Sequence, residues 1–269
     1  MRRLLLAAVM LGMVSAAHAA DMPDLPILRG SFTDGLTNAR PNWQGSYIGA
    51  QAGYGSSDEN FNGSTSNMMA ALLADTLIES EMGVSQWNLG LGKASHRTTG
   101  YGFFAGYNSQ WDDVVLGLEA SYLHGSFGGS ATASEARSNQ LSDGNVHSVT
   151  ASSTSSIAIK DMATFRGRAG YAWGCFLPYM FAGLALGNAD ITRSVSVQDY
   201  VTPAGVLQGP ISSTDAQHNH LIYGYSAGLG VDINLVGGLF MRAEYEYIRF
   251  TAAVDTNINT VRAGLGYKF

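Results

Sequence analysis

Eight short segments with alternating side chains constrain the fold of this chain more than any other feature. Each segment combines aromatic or aliphatic residues with small ones at a period of two, which is the period of a β-strand with two different faces. The segments span residues 43–54, 99–110, 113–125, 159–173, 176–190, 220–233, 238–250 and 257–269. Their number is even, and the pattern predicts an all-β fold.

The gaps between these segments alternate in length. Short gaps fall at 111–112, 174–175 and 234–237. Longer gaps fall at 55–98, 126–158 and 191–219, and a short fourth gap on that side falls at 251–256. Tight turns on one side and extended loops on the other are typical of bacterial outer-membrane barrels. The order of gaps predicts an eight-stranded antiparallel up-and-down transmembrane barrel with short periplasmic turns and long extracellular loops.

The two faces of the segments differ in chemistry. In 238–250, Leu239, Met241 and Tyr245 alternate with charged residues. In water the apolar face would be the core, whereas in a bilayer the polar face lines a lumen. The second arrangement is favoured because the polar face is rich in glycine and carries charges of both signs. Tyrosine and tryptophan near segment ends indicate an interfacial girdle: Trp43, Tyr54, Tyr107, Trp111, Tyr171 and Trp173. The faces of the first, second and fifth segments remain ambiguous.

Charged residues on the polar face form a predicted lumen charge network. Its members are Glu119, Arg166, Arg168, Arg242, Glu244, Glu246 and Arg262. They could line an ion path, because interior charges tune selectivity. They could instead pair across the lumen, because buried charge is tolerated when it is compensated. An eight-stranded interior is just wide enough to be filled by side chains, which favours the plugged lumen.

The N-terminus and the charge balance indicate an exported protein. Two arginines, an apolar run and an Ala-x-Ala pattern predict a cleaved signal peptide over residues 1–20. Residues 21–42 are then a periplasmic arm, and residues 43–269 the barrel domain. Without Arg2 and Arg3 the chain has 13 basic and 21 acidic residues, a net charge of −8, which argues against nucleic acid as a partner. Cys175 is the only cysteine, so disulfides do not staple the fold.

Three stretches resemble a known family. WQGSYIGAQAGY at 43–54, LPYMFAGLALG at 177–187 and VRAGLGYKF at 261–269 are similar to small eight-stranded OmpA-like outer-membrane barrels, "porin family" surface antigens of Gram-negative bacteria. The resemblance implies an outer-membrane location, a lipid environment and a structural or surface-interaction role, with loops that meet host or surface ligands. It also implies that the barrel-assembly machinery reads the last strand through Arg262, Gly264, Tyr267 and Phe269.

The stretch from Ser66 to Met82 predicts an amphipathic helix within a loop. It either binds a partner or membrane surface, or folds over the barrel mouth. Folding over the barrel mouth is favoured, because the barrel alone offers the one surface that the helix's single apolar stripe needs.

Histidines in the loops are the remaining candidates for ligand binding. His218 and His220 could place two imidazoles on one side of an extended segment. Some relatives bind haem at the surface, so a haem-binding or small porin-like barrel is the alternative function. Two ligands are weak evidence for a metal site, and no cofactor is predicted. The chain has no His-Glu-x-x-His motif, and Ser148 to Ser156 is typical of a low-complexity loop, so no enzyme is predicted.

Overall fold

A closed ring of eight antiparallel strands makes up most of the folded chain. The computed structural model describes residues 42–87, 89–203, 205–252 and 254–269. The strands are β1 (Gly45–Asn60), β2 (Lys93–Trp111), β3 (Val114–Gln140), β4 (Val146–Tyr171), β5 (Phe176–Thr202), β6 (Val206–Val236), β7 (Leu239–Phe250) and β8 (Asp255–Lys268). Each pairs with the next, and β8 pairs with β1. The predicted eight-stranded antiparallel barrel is confirmed. The predicted signal peptide and, apart from Asn42, the predicted arm lie outside the described residues.

Tight turns join the strands at one end of the barrel, the turn end. They fall at 112–113, 172–175 and 237–238, close to the predicted positions. The opposite end, the loop end, carries the longer excursions.

Side chains alternate between the lumen and the outer surface in the part of each strand that forms the closed barrel. Leu118, Phe165 and Leu229 point outward, as predicted, and the charged residues between such positions are buried. The ambiguous strands β1, β2 and β5 place aromatic residues on both faces, which is why their pattern could not be interpreted. One predicted girdle residue is a correction: Trp43 is buried against Phe240 at the turn end, because it precedes β1 and folds under the barrel.

Two of the long gaps predicted as loops are mainly continuous strand. β3 and β4 are 27 and 26 residues long, and β5 and β6 are 27 and 31. Gap 126–158 is therefore a hairpin whose turn is only 141–145, and the Ser148 to Ser156 run is strand rather than loop. The physical reason is the position of the few apolar residues: Val149, Ala151 and Ile157 are spaced by even numbers and are all buried on the inner face, although serine and threonine fill most positions between them.

The barrel wall opens at two places toward the loop end. Pairing between β2 and β3 stops at Gly100 and Gly125, and pairing between β6 and β7 stops at Gly224 and Phe250. Beyond these points β3 to β6 pair only among themselves in the described chain. They form a four-stranded projecting sheet, made of residues 126–140, 146–160, 188–202 and 206–219.

Two short helices between β1 and β2 cover the inner face of the projecting sheet. They are α1 (Ser66–Leu72) and α2 (Leu77–Met82). This corrects the prediction of one continuous helix: the chain turns at Asp75, whose φ is +63°, and Thr76 caps α2 by accepting a hydrogen bond from a backbone N–H 3.3 Å away. None of the helices in the described ranges is long and apolar enough to cross a membrane.

The apolar side of these helices packs onto the projecting sheet. Met69, Leu73 and Ile78 are buried together with Val149 and Val197. The hydrophobic effect therefore holds the helices against the strands.

The lumen is filled by two apolar clusters and a polar layer. Near the turn end lies an aromatic cluster of Trp43, Tyr47, Phe104, Val115, Leu177, Tyr179, Phe181 and Phe240. Toward the loop end lies a larger aliphatic cluster built around Phe61, Leu123, Phe127, Ile159 and Phe250.

Glycines on the inner face make room for the aromatic cluster. A Cβ atom on Gly49 would lie 2.3 Å from the ring of Phe104, and one on Gly266 would lie 2.3 Å from the ring of Phe240. Such separations are far below van der Waals contact, so these strands need glycine where a ring from the neighbouring strand crosses them.

Candidate functional site

Glu119 on β3 is the centre of a buried ionic cluster in the lumen. Its carboxylate accepts hydrogen bonds from Tyr47 Oη (2.6 Å), Arg166 Nε (3.0 Å), Arg168 Nη1 (3.2 Å) and Arg242 Nη1 (2.8 Å). The donors come from β1, β4 and β7, so this one side chain ties four strands together across the lumen. Charge-assisted bonds of this kind are about twice as strong as neutral ones.

Asp232 on β6 is a second anion in the cluster. Arg242 donates to both of its oxygens, from Nε at 2.8 Å and from Nη2 at 2.9 Å, and Arg168 Nη2 donates at 2.7 Å. The predicted network omitted Asp232. Its signal was present, because it lies on the inner face of its segment among glycine and serine.

Glu244 and Glu246 complete the anionic side. Arg166 Nη2 donates to both oxygens of Glu244, at 2.7 and 2.8 Å, and its Nη1 donates to Glu246 at 3.3 Å. Arg262 on β8 forms an ion pair with Glu246, and its Nε donates to Thr260 Oγ1 at 3.1 Å. All seven residues proposed from sequence thus lie in one buried cluster.

This buried ionic cluster, the lumen network, is electrically balanced. Its anions are Glu119, Asp232, Glu244 and Glu246, and its cations are Arg166, Arg168, Arg242 and Arg262. Four charges of each sign cancel. Balance and hydrogen bonding are the two conditions under which buried charge is tolerated.

Aromatic faces supply further partners for the guanidinium groups. The central carbon of Arg168 lies 3.7 Å from the ring centroid of Tyr179, and that of Arg242 lies 4.0 Å from the centroid of Phe104. Cation–π attraction strengthens when water is excluded. Sequence analysis missed these inward aromatic residues as well as Asp232, because an aromatic residue on a strand does not show which face it occupies.

The C-terminal strand places the four residues of the implied assembly signal on both faces. Arg262 points into the lumen network, whereas Tyr267 and Phe269 point outward, and Phe269 is 74% exposed. The backbone N–H of Phe269 donates to Ser46 O at 2.9 Å. A Cβ atom on Gly264 would lie 2.6 Å from Ala50 O, so glycine is required there by the barrel wall itself.

The two histidines singled out from sequence lie on the outer part of β6. Both are exposed, and Asn219 between them has a φ of +53°, so strand alternation is broken at that point. Nδ1 of His218 lies 3.8 Å from Asp190. Across the described ranges no group of three or more His, Cys, Asp or Glu side chains is arranged so that it could hold a metal ion.

Comparison with known proteins identifies the family. A family model described as "Outer membrane protein beta-barrel domain" matches residues 5–269. The 25 kDa outer-membrane immunogenic protein of Brucella ovis is 24% identical, over 85% of this chain and 79% of its own length. The 22 kDa outer membrane protein of Rhizobium leguminosarum bv. viciae is 26% identical, over 70% and 75%.

Two solved structures illustrate the structural similarity. Neisserial surface protein A has a TM-score of 0.35 and 15% identity, with 83% of this chain and 97% of that chain covered. The attachment invasion locus protein Ail of Yersinia pestis has a TM-score of 0.29 and 13% identity, with 84% and 99% covered. From the family model and the closed barrel, the chain belongs to the outer membrane protein beta-barrel domain family and is a lipid-embedded protein of the Gram-negative outer membrane.

Proposed function

We propose that this barrel is a surface-interaction and structural protein of the outer membrane whose lumen is plugged by the lumen network. The observation that carries the proposal is the balanced set of four anions and four cations bonded across the barrel interior. An open ion path needs hydrated, unpaired charge, whereas these groups bind each other.

The layers on either side of the lumen network support a closed interior. Trp43 and Phe240 are in edge contact at the turn end, with ring centroids 6.3 Å apart. On the other side Leu123, Phe127 and Phe250 are buried in the aliphatic cluster. A hydrated ion crossing the barrel would have to displace apolar side chains as well as the ion pairs.

The projecting sheet supports the surface-interaction role. It extends the barrel beyond the length that a bilayer needs, about 9 to 11 tilted residues per strand, and its inner face is covered by α1 and α2. The Brucella ovis relative is named as immunogenic, and antibodies reach an intact cell's barrel protein only where it extends outside the membrane. We infer that the projecting sheet is the surface that meets host or environmental ligands.

Planar-bilayer recording tests the plug. Purified wild-type barrel is expected to give no steady conductance steps. The charge-neutral variant Glu119→Ala/Arg242→Ala/Phe240→Ala/Phe250→Ala, which removes side chains from the lumen network and from the apolar layer on either side of it, is expected to produce discrete steps. Lipid-facing Phe103→Ala serves as the control and should resemble the wild type. Steady unit steps from the wild type would contradict the plugged lumen and favour the small porin-like channel.

We also propose that residues 1–20 are removed on export and that residues 21–42 form a periplasmic arm. N-terminal sequencing of the protein recovered from outer-membrane fractions tests this, with a start near Asp21 expected. A mature chain beginning at Met1 would overturn it.

We propose that the barrel-assembly machinery inserts the chain by reading its last strand. The outward positions of Tyr267 and Phe269 support this, because both side chains are accessible along the barrel's outer rim.

The alternative function, haem binding at the surface, is tested by a haem titration of the variant in which His218 and His220 are both replaced by alanine. Unchanged affinity for haem would show that these two residues are not ligands.

A further inference from the structure

A small cavity lies between α2 and the tip of the projecting sheet. It has a volume of about 170 Å³ and is lined by residues of α2, β4, β5 and β6. We propose that this cavity, the tip cavity, is a binding site for a small aliphatic ammonium ion, with Asp199 as its anionic partner. The site is separate from the lumen network and independent of the plugged lumen.

The charged groups at the tip cavity leave one negative charge uncompensated. Nδ1 of His147 lies 2.6 Å from Asp199 Oδ2, and Nε2 lies 3.0 Å from Asp143 Oδ2. Burial lowers the pKa of His147, but its hydrogen bonds with the two carboxylates outweigh this and raise that pKa above its ordinary value. One imidazolium between two carboxylates has a net charge of −1, which a monovalent cation neutralises.

Asp199 has an acceptor atom that the fold does not use. The residue is only 6% exposed, and its Oδ1 has no hydrogen-bond partner among the described residues, whereas Oδ2 is engaged by His147. A buried carboxylate oxygen without a donor has lost its hydration with nothing to replace it, which is unfavourable. A ligand N–H group entering the cavity would supply that donor.

The walls of the tip cavity select the rest of the ligand. Leu77 and Ile78 line it from α2, and Val197 and Ile211 line it from the sheet. The one cationic side chain in the lining is His147, whose charge the two carboxylates already offset, and no Lys or Arg lines the cavity. The volume is below the range of about 300 to 1,000 Å³ typical of drug-sized ligands, so the apolar part is a short alkyl chain.

Calorimetric titration of the folded barrel in detergent micelles with n-butylammonium tests the proposal, with n-butanol as the neutral ligand of equal length. Heats into empty micelles are subtracted. We expect n-butylammonium to bind saturably. The affinity for n-butanol should be lower by roughly tenfold or more, because a hydrogen bond to a charged group is lost. Equal binding of the two ligands, or no saturable binding, would overturn the proposal.

Variants locate the binding. Asp199→Asn should weaken n-butylammonium binding by roughly tenfold or more, while Asp58→Asn, an exposed position with the same change in charge, should leave it unaltered. Because Asp199→Asn also disturbs His147, Ile211→Trp provides a second test that fills the cavity without changing charge. It should abolish binding and preserve the His147 imidazole signals in the NMR spectrum. Undiminished binding in either variant would refute the site.

Discussion

Removing the charge of Glu119 is the most direct test of the lumen network. The substitution Glu119→Gln keeps the volume of the side chain but changes the balance of the lumen network from four anions and four cations to three and four. Breaking a buried ion pair from one side leaves an uncompensated charge in the protein interior. We therefore expect a large loss in the free energy of unfolding.

The magnitude follows from the partners of Glu119. Four donors bond to it, and bonds to charged groups contribute about 1.5 to 3 kcal/mol each, or roughly 6 to 12 in sum. The sum overstates the loss, because Arg166 still binds Glu244, and both Arg168 and Arg242 still bind Asp232. The expected loss is therefore about 3 to 5 kcal/mol, the range for one broken buried pair.

Urea-dependent unfolding in phospholipid vesicles, followed by tryptophan fluorescence, measures this loss. Glu135→Gln is the matched control, since Glu135 pairs with Arg137 on the surface at 2.7 Å and should contribute at most about 1 kcal/mol. The double variant Glu119→Gln/Arg168→Met restores neutrality and should be less destabilised than the sum of its single variants by about 1 to 3 kcal/mol. If Glu119→Gln were no more destabilising than Glu135→Gln, the cluster would not act as a coupled buried network.

Three further predictions follow from the rim, the tip and the aromatic cluster. Deleting Phe269 should reduce the heat-modifiable protein in outer-membrane fractions far more than Phe176→Ala at the same rim, and more than the ~1.5 to 3 kcal/mol of one side chain's burial implies; equal yields would make the last residue an ordinary strand end. The pKa of His147 is raised above its ordinary 6.5 in the fold, so its ion pairs stabilise the tip fully below pH 6.5 and are lost as pH rises through the raised value. As pH rises through that value, hydrogen exchange of backbone amides at the tip should become faster than the pH dependence of the intrinsic exchange rate explains. A similar acceleration in the variant His147→Asn would show that His147 is not the group responsible. Phe240→Ala should lower the free energy of unfolding by about 3 to 5 kcal/mol, whereas lipid-facing Phe103→Ala should have a much smaller effect in the same urea assay.

Sequence analysis succeeded where the two faces of a strand differ in chemistry. Arg166 and Arg168 alternate with Phe165 and Ala169, so both the strand and its orientation follow from the period of two. It failed along the projecting sheet, because serine and threonine there occupy both faces and give no apolar contrast. The break at Asp75 was hidden for a different reason: the apolar spacing continues across it, and only Thr76 hints at a new helix start.

The partners within the lumen network were beyond sequence analysis. Glu119 and Arg242 are 123 residues apart in the chain, and they meet only because the barrel closes. Inner-face charge could be predicted residue by residue, but the pairing depends on register, which the alternating pattern does not supply. The inward aromatic residues were missed because glycines on neighbouring strands, not any property of the rings, decide where they fit.

Because the barrel wall opens on both sides of the projecting sheet, the thickness of the bilayer does not set the length of that sheet. β7 and β8 have 12 and 14 residues, close to what a span requires, whereas β3 to β6 have 26 to 31. Residues can be gained or lost at the tips without moving the part that lies in lipid. Parity is then the constraint: one residue added to one strand would turn its buried side chains outward, whereas two added to both strands of a hairpin preserve every face. In related proteins, we therefore expect the strands of the projecting sheet to differ in length by even numbers of residues, with the same change in both strands of a hairpin.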